Sequence, residues 1–259
     1  MKTECVELMI SSTSDGSREP SLFLPCAGNK PAPLVVALHT WSAERHNQVK
    51  DVTPFAERLG WNVLFPEFRG PNLSGNPRAR EACGSRLAMQ DIVDAVDHVV
   101  AHLAPAGAVF LVGGSGGGHM ALMMAGYRPN IWTLVYASCG ITDLAAWHGE
   151  NPAYAPHIEA CCGGPPDTPE RIAEYRQRSP ITYAEQIAKA RVVIEHGKDD
   201  RSVPYTHALT LYNSICAIVP AARVHLDIFD GAHVLRLDHA FSIFEREFSS
   251  PSPSAGLTG

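Results

Sequence analysis

Residues Val112–Gly126 read VGGSGGGHMALMMAG, with five glycines closing on Ser115 before an apolar run begins. Glycine loses more conformational freedom on folding than any other residue, so such a concentration needs a local reason. Two chemistries supply one: a backbone cradle for phosphate, or a sharp turn that presents a nucleophile. A strict G-x-G-x-x-G fails, since counting from Gly114 ends on His119 and counting from Gly116 ends on Ala121. The relaxed form ending in alanine does match Gly116, Gly118 and Ala121, but its ribose-binding acid should close the next strand, WTLVYA. The first acid after the glycines is Asp143, beyond that strand, and the Gly-Lys-Ser/Thr of a P-loop is absent.

The same residues also fit G-x-S-x-G, as Gly113-Gly114-Ser115-Gly116-Gly117. With 21 glycines among 259 residues a chance match is common, so the surroundings decide. The motif ends the strand-like run AVFLV and opens the helical run GHMALMMAGY, the placement a nucleophile elbow requires. At such an elbow the serine backbone is strained, and flanking glycines leave room where a Cβ would collide with strand or helix. The following helix start aims backbone N–H groups at developing negative charge. Met120, Met123 and Met124 on that helix read as core.

Outward from the elbow, eight short aliphatic runs recur: CVELMI, SLFLP, LVVALH, NVLFP, AVFLVG, WTLVYA, RVVIEH and VHLDIF. From the third onward, helical segments such as NQVKDVTPFAERLG, RLAMQDIVDAVDHVVAHL and HALTLYNSICAIV separate most of them. Continuous apolar strands alternating with amphipathic helices predict a mostly parallel sheet covered on both faces. The first two runs lie too close for a crossover helix and are expected to pair as an antiparallel hairpin. In MQDIVDAVDHVV, Met89, Ile92, Val93, Ala95, Val96, Val99 and Val100 form an apolar stripe, with Asp91, Asp94 and Asp97 facing elsewhere. After the sixth run a polar, proline-rich excursion spans about 145–184, with one short helix expected near Pro169–Arg176. The tail SSPSPSAGLTG is expected to be disordered. The expectation is therefore one domain over residues 1–248 and a disordered tail over 249–259.

Composition narrows the function. Hydrophobic residues make up 45% and charged residues 19%, enough apolar content for a sizeable core. A net charge of −6 and the lack of any Lys/Arg run argue against a nucleic-acid partner. Glu4 and Glu7 stand where a secretory leader would be apolar, and no stretch is long enough to cross a bilayer, so a cytoplasmic chain without a membrane partner is expected. Seven scattered cysteines without a CxxC pair suit reduced thiols rather than a disulfide framework. HIEACC places His157 near Cys161 and Cys162, but structural metal sites need four well-spaced ligands, so no metal and no cofactor is expected.

A serine hydroxyl needs a base to take its proton, and the base needs an orienting acid. On a strand–elbow–helix scaffold the chain order is serine, then acid, then histidine. The loop after RVVIEH, GKDDRSVP, offers Asp199 and Asp200, and the loop after VHLDIF, DGAH, ends in His233. Both loops lie beyond strand C-termini, where sites form in open α/β sheets.

With Ser115, HGKDDRSVP, GAH and the FRGP that follows the fourth run, the chain resembles the α/β-hydrolase superfamily. Within it, the closest likeness is to the catalytic domain of the prolyl oligopeptidase family and its esterase relatives. The resemblance runs from about Val6 to Phe248. It implies a mostly parallel eight-stranded sheet with helices on both faces and a lid-like insertion after the sixth strand. It implies a catalytic Ser115, Asp200 and His233, because the family's acid stands four residues before the proline of a D-x-x-V-P turn. Asp199 is the alternative, with a capping or solvated role otherwise, and Asp143 is a remote third. It also implies an oxyanion hole from the backbone N–H groups of Trp41 and Gly116, although His39-Thr40-Trp41 carries threonine where the family commonly has glycine.

Trp41, Arg201, Trp147 and Tyr154 are candidate substrate contacts; packing is the alternative for the aromatics, and an ion pair the favoured one for Arg201. True prolyl oligopeptidases carry a large N-terminal propeller, whereas the third run here begins at Leu34. The expectation is thus a carboxylesterase working through an acyl-enzyme on a small ester, such as an acyl-sugar or aryl ester. A small serine peptidase is the alternative, and a catalytically silent binding protein the remote one.

Overall fold

The eight aliphatic runs all become strands of one sheet in the computed structural model, which describes residues 4–26 and 31–249. The strands are β1 (Val6–Ser11), β2 (Arg18–Leu24), β3 (Leu34–Leu38), β4 (Asn62–Pro66), β5 (Val109–Gly114), β6 (Leu134–Ser138), β7 (Val192–Gly197) and β8 (Val224–Phe229). Their spatial order is β1-β2-β4-β3-β5-β6-β7-β8. β1 and β2 form the expected antiparallel hairpin, β2 pairs antiparallel with β4, and every pairing from β4 to β8 is parallel. Of the tail expected over 249–259, Ser249 ends the last helix and the rest lies outside the described residues.

The helices are α1 (Val49–Leu59), α2 (Arg86–His102), α3 (Gly116–Tyr127), α4 (Leu144–Glu150), α5 (Ala155–Cys162), α6 (Pro169–Gln177), α7 (Ala184–Ile187), α8 (Thr206–Ile218) and α9 (Leu237–Ser249). Strand periodicity sorts them onto two faces. In β3, Leu34, Val36 and Leu38 join Ile92 and Val96 of α2, Met120 and Met124 of α3, and Leu211 of α8. The alternate residues Val35 and Ala37 join Val52 of α1 and Phe241 and Phe244 of α9. A strand buried on both faces has to be apolar throughout, which is why these runs do not alternate. No helix among the described residues is long and apolar enough to cross a membrane.

One expectation needs correction. The excursion contains not one helix but α4, α5 and α6, followed by a 3₁₀ turn at Pro180–Tyr183. Its prolines and glycines punctuate helices: α5 has proline in its first turn and stops at Gly163, whose φ of 87° suits a left-handed cap. In α2, Asp91 and Asp94 face away from the apolar stripe and are nevertheless buried. Asp91 pairs with Arg69, and Asp94 accepts hydrogen bonds from the Thr13 N–H and hydroxyl.

Candidate active site

Ser115 sits between β5 and α3 with φ 56° and ψ −120°, a conformation that costs a non-glycine residue free energy, and it is half-buried. Its N–H donates to the Ser138 carbonyl at 2.9 Å, and its own carbonyl accepts from the His119 N–H at 2.9 Å. The glycines hold the crossing together: a methyl group on Gly113 would overlap the backbone of Gly117. One on Gly116 would overlap the backbone nitrogen of Trp41. The loop after β3 therefore lies directly against the start of α3. The Trp41 N–H donates to no acceptor among the described residues, and Gly116 opens a helix whose first N–H groups have no intrahelical partner. These are the two N–H groups expected to hold an oxyanion, and their backbones lie in close contact.

Asp200 and His233, the expected acid and base, lie on loops that are knitted together. The Lys198 N–H donates to the Phe229 carbonyl and the Asp199 N–H to the Gly231 carbonyl, at 2.9 and 2.8 Å. Asp200 is the residue this turn sends inward. Its Oδ2 lies 2.6 Å from His233 Nδ1, and its Oδ1 accepts from the N–H groups of Ser202 and Val203 at 2.8 and 3.0 Å. Asp199 is exposed and its carboxylate pairs with no described residue. His196, which the sequence reading passed over, approaches Asp200 Oδ2 at 3.1 Å and the Val203 carbonyl at 2.8 Å through Nε2. A carbonyl only accepts, so that nitrogen carries a proton.

Burial opposes the negative charge on Asp200, yet the hydrogen bonds from His196 and His233 outweigh it and hold the carboxyl well below its usual range. Burial likewise disfavours a charged His233, but the bonds to Asp200 and Cys139 push its pKa up to about 9. With the His233 Nδ1–H directed at a carboxylate, Nε2 is left to accept a proton. The His233 loop covers the elbow: the Val234 carbonyl accepts from the Ser138 hydroxyl at 3.0 Å, and Leu235 packs against Gly114.

Residues 48–230, most of the chain, match the model of the prolyl oligopeptidase family. The chain belongs to that family. It is 28% identical over 207 residues to the acylamino-acid-releasing enzyme of Rattus norvegicus, covering 74% of this chain and 26% of the rat protein. The acylamino-acid-releasing enzyme of Sus scrofa is 27% identical over 174 residues, 62% of this chain and 23% of the pig protein. The chain thus spans about a quarter of the length of these relatives. Among solved structures, the Pyrococcus horikoshii acylaminoacyl peptidase superposes with a TM-score of 0.76 at 16% identity, over 98% of this chain and 43% of that one. A Pyrococcus furiosus esterase superposes with a TM-score of 0.69 at 15% identity, over 95% and 90%. Both structures share the α/β-hydrolase fold.

Within this prolyl oligopeptidase-family scaffold, the FRGP arginine has a structural task. The Arg69 side chain is fully buried; its Nε lies 2.5 Å from Asp91, and its Nη1 is 2.7 Å from Asp15 and 2.8 Å from Glu81. It fixes the loop after β4, and that loop supports the oxyanion segment through the Asn72 N–H, which donates to the Trp41 carbonyl at 2.8 Å.

The candidate substrate contacts fare differently from one another. Trp41 and Trp147 are each only 1% exposed and meet edge to face at 4.9 Å, with Tyr154 4.7 Å from Trp147. Their rings are packed at the junction of excursion and body, so the Trp41 indole is taken up in packing. Arg201 is exposed, and the favoured ion pair is absent among the described residues, which leaves its guanidinium free beside Asp200. Asp143 caps α4 by accepting from the Ala145 and Ala146 N–H groups. His157 turns Nδ1 to the Ser74 N–H at 3.0 Å, while Cys161 and Cys162 are buried in the excursion core.

Proposed function

We propose that this chain is a serine peptidase-type hydrolase that cleaves amide bonds in short N-acylated substrates through an acyl-enzyme. Ser115 Oγ attacks the scissile carbonyl as His233 Nε2 takes its proton, and the Trp41 and Gly116 N–H groups hold the oxyanion. His233 then delivers the proton to the leaving amine, and a water activated by the same nitrogen releases the acyl group. Asp200 keeps the tautomer and stabilises the imidazolium formed at each stage. The observation that carries the choice of bond is the sequence match to two acylamino-acid-releasing enzymes, which favours an amide over the simple ester expected from sequence. Ester cleavage is a second reading, favoured by the superposition on a Pyrococcus furiosus esterase over 90% of its length.

The two separate on paired substrates. An acyl-aminoacyl nitroanilide and the matching nitrophenyl ester should both turn over, because an amidase also cleaves the more reactive ester. Turnover of the ester alone across a panel of acyl groups would replace the peptidase reading with the esterase one.

A further inference from the structure

The excursion grips the loop that carries the proposed acid. The indole Nε1–H of Trp147 donates to the Ser202 carbonyl at 2.8 Å, and the Asn151 Nδ2–H donates to the same oxygen at 3.0 Å. That carbonyl belongs to the peptide unit whose other end, the Val203 N–H, donates to Asp200 Oδ1. A trans peptide is planar, with C=O and N–H pointing opposite ways. One rigid plane thus has the excursion on one side and Asp200 on the other. Two donors on the oxygen resist rotation of this plane and polarise it, which makes its N–H a stronger donor to the carboxylate.

The donors are themselves held firmly. Asp143 caps the start of α4, and Glu150 at its end lies 2.8 Å from His207 Nε2. His207 Nδ1 accepts from the Thr142 N–H, so Nε2 is the protonated nitrogen and donates to Glu150. Trp147 is wedged between Trp41 and Tyr154.

We propose that Trp147 and Asn151 are positioning residues for the hydrolytic reaction: through the Ser202–Val203 peptide they hold Asp200 on His233, so the excursion sets the acid. This rests on the hydrolase reading above. A carbonyl oxygen has two lone pairs, and either donor alone keeps it satisfied. Removing both leaves a buried acceptor unpaired and the plane free to turn, so the two losses are expected to exceed the product of the single ones.

The test uses Trp147→Phe, Asn151→Leu and their combination in the whole chain. Two quantities are read: the rate of Ser115 labelling by a small fluorophosphonate, and the downfield proton resonance of the His233–Asp200 hydrogen bond. Each single variant should label within about threefold of wild type, and the double variant about thirtyfold or more slowly, with its resonance moved upfield. If the double variant does not fold, Asn151→Asp decides, since it keeps the size while facing the carbonyl with an acceptor. It should label about tenfold more slowly and show the same upfield move. An unmoved resonance, or losses in the double variant that merely multiply, would overturn the proposal. No labelling of folded wild type would instead overturn the hydrolase reading, which keeps the two failures apart.

Discussion

Gly116 and Trp41 lie back to back, so close that a single methyl group on Gly116 would overlap the backbone nitrogen and Cα of Trp41. Both N–H groups of the proposed oxyanion hole depend on this approach. Gly116→Ala should push the Trp41 loop away and lower kcat by about 10²- to 10³-fold, the loss typical of one oxyanion donor, with a smaller change in KM. Steady-state kinetics of the variant check this; near wild-type kcat would place the oxyanion elsewhere.

The adjacent acids should differ sharply. Asp200→Asn removes the acceptor of His233 Nδ1–H and should lower kcat by about 10³- to 10⁴-fold. Asp199→Asn, on an exposed side chain without a partner among the described residues, should cost less than about tenfold. Both variants are assayed on one substrate; a larger loss at Asp199 would contradict the placement of the acid.

The raised pKa of His233 sets the pH dependence. Only the neutral imidazole can accept the Ser115 proton, so kcat/KM should climb with pH and level off above about 9. Stability runs the other way. The Asp200–imidazolium pair stabilises the fold fully below the ordinary histidine value of about 6.5, and that contribution is lost as pH rises through about 9. In Asp200→Asn the rising limb should move down toward the ordinary value. A limb unmoved by that substitution would show that another group controls it.

Arg69 is the prediction for stability. Replacing it with leucine strands the buried Asp91 carboxylate and should destabilise the fold by about 3–5 kcal/mol. Lysine should rescue only partly, since one ammonium cannot match a guanidinium that reaches Asp91, Asp15 and Glu81 at once. Denaturant unfolding of both variants checks the order; a stable leucine variant would contradict the role assigned to this network.

Much of the scaffold was legible because it is local. Strand apolarity and the spacing of glycines around Ser115 are properties of short stretches, and the serine–acid–histidine order is read directly along the chain. Asp200 is the expected acid by resemblance to the family's D-x-x-V-P turn, and in the fold it is the carboxylate that meets His233 Nδ1. What escaped was long-range or polar. Asp91 and Asp94 lie off the apolar stripe in a helical wheel, and only the fold brings Arg69 and Thr13 to them. Trp147 and Asn151 reach Ser202 across about fifty residues of chain, which no local pattern encodes. His196 stood in the same HGKDDRSVP stretch as the acid and was read as part of a strand. Its position four residues before Asp200 was the signal that could have marked it. Arg201 shows the converse: a charged residue expected to pair has no partner among the described residues.

The central claim is that Ser115 is the nucleophile, and it is tested most directly by peptide mapping after treatment with a fluorophosphonate. Attack by Ser115 Oγ on phosphorus expels fluoride and leaves one stable adduct. The account predicts a single modified residue, Ser115, with the folded Ser115→Ala variant left unlabelled. An adduct on any other residue, or undiminished labelling of the alanine variant, would contradict it.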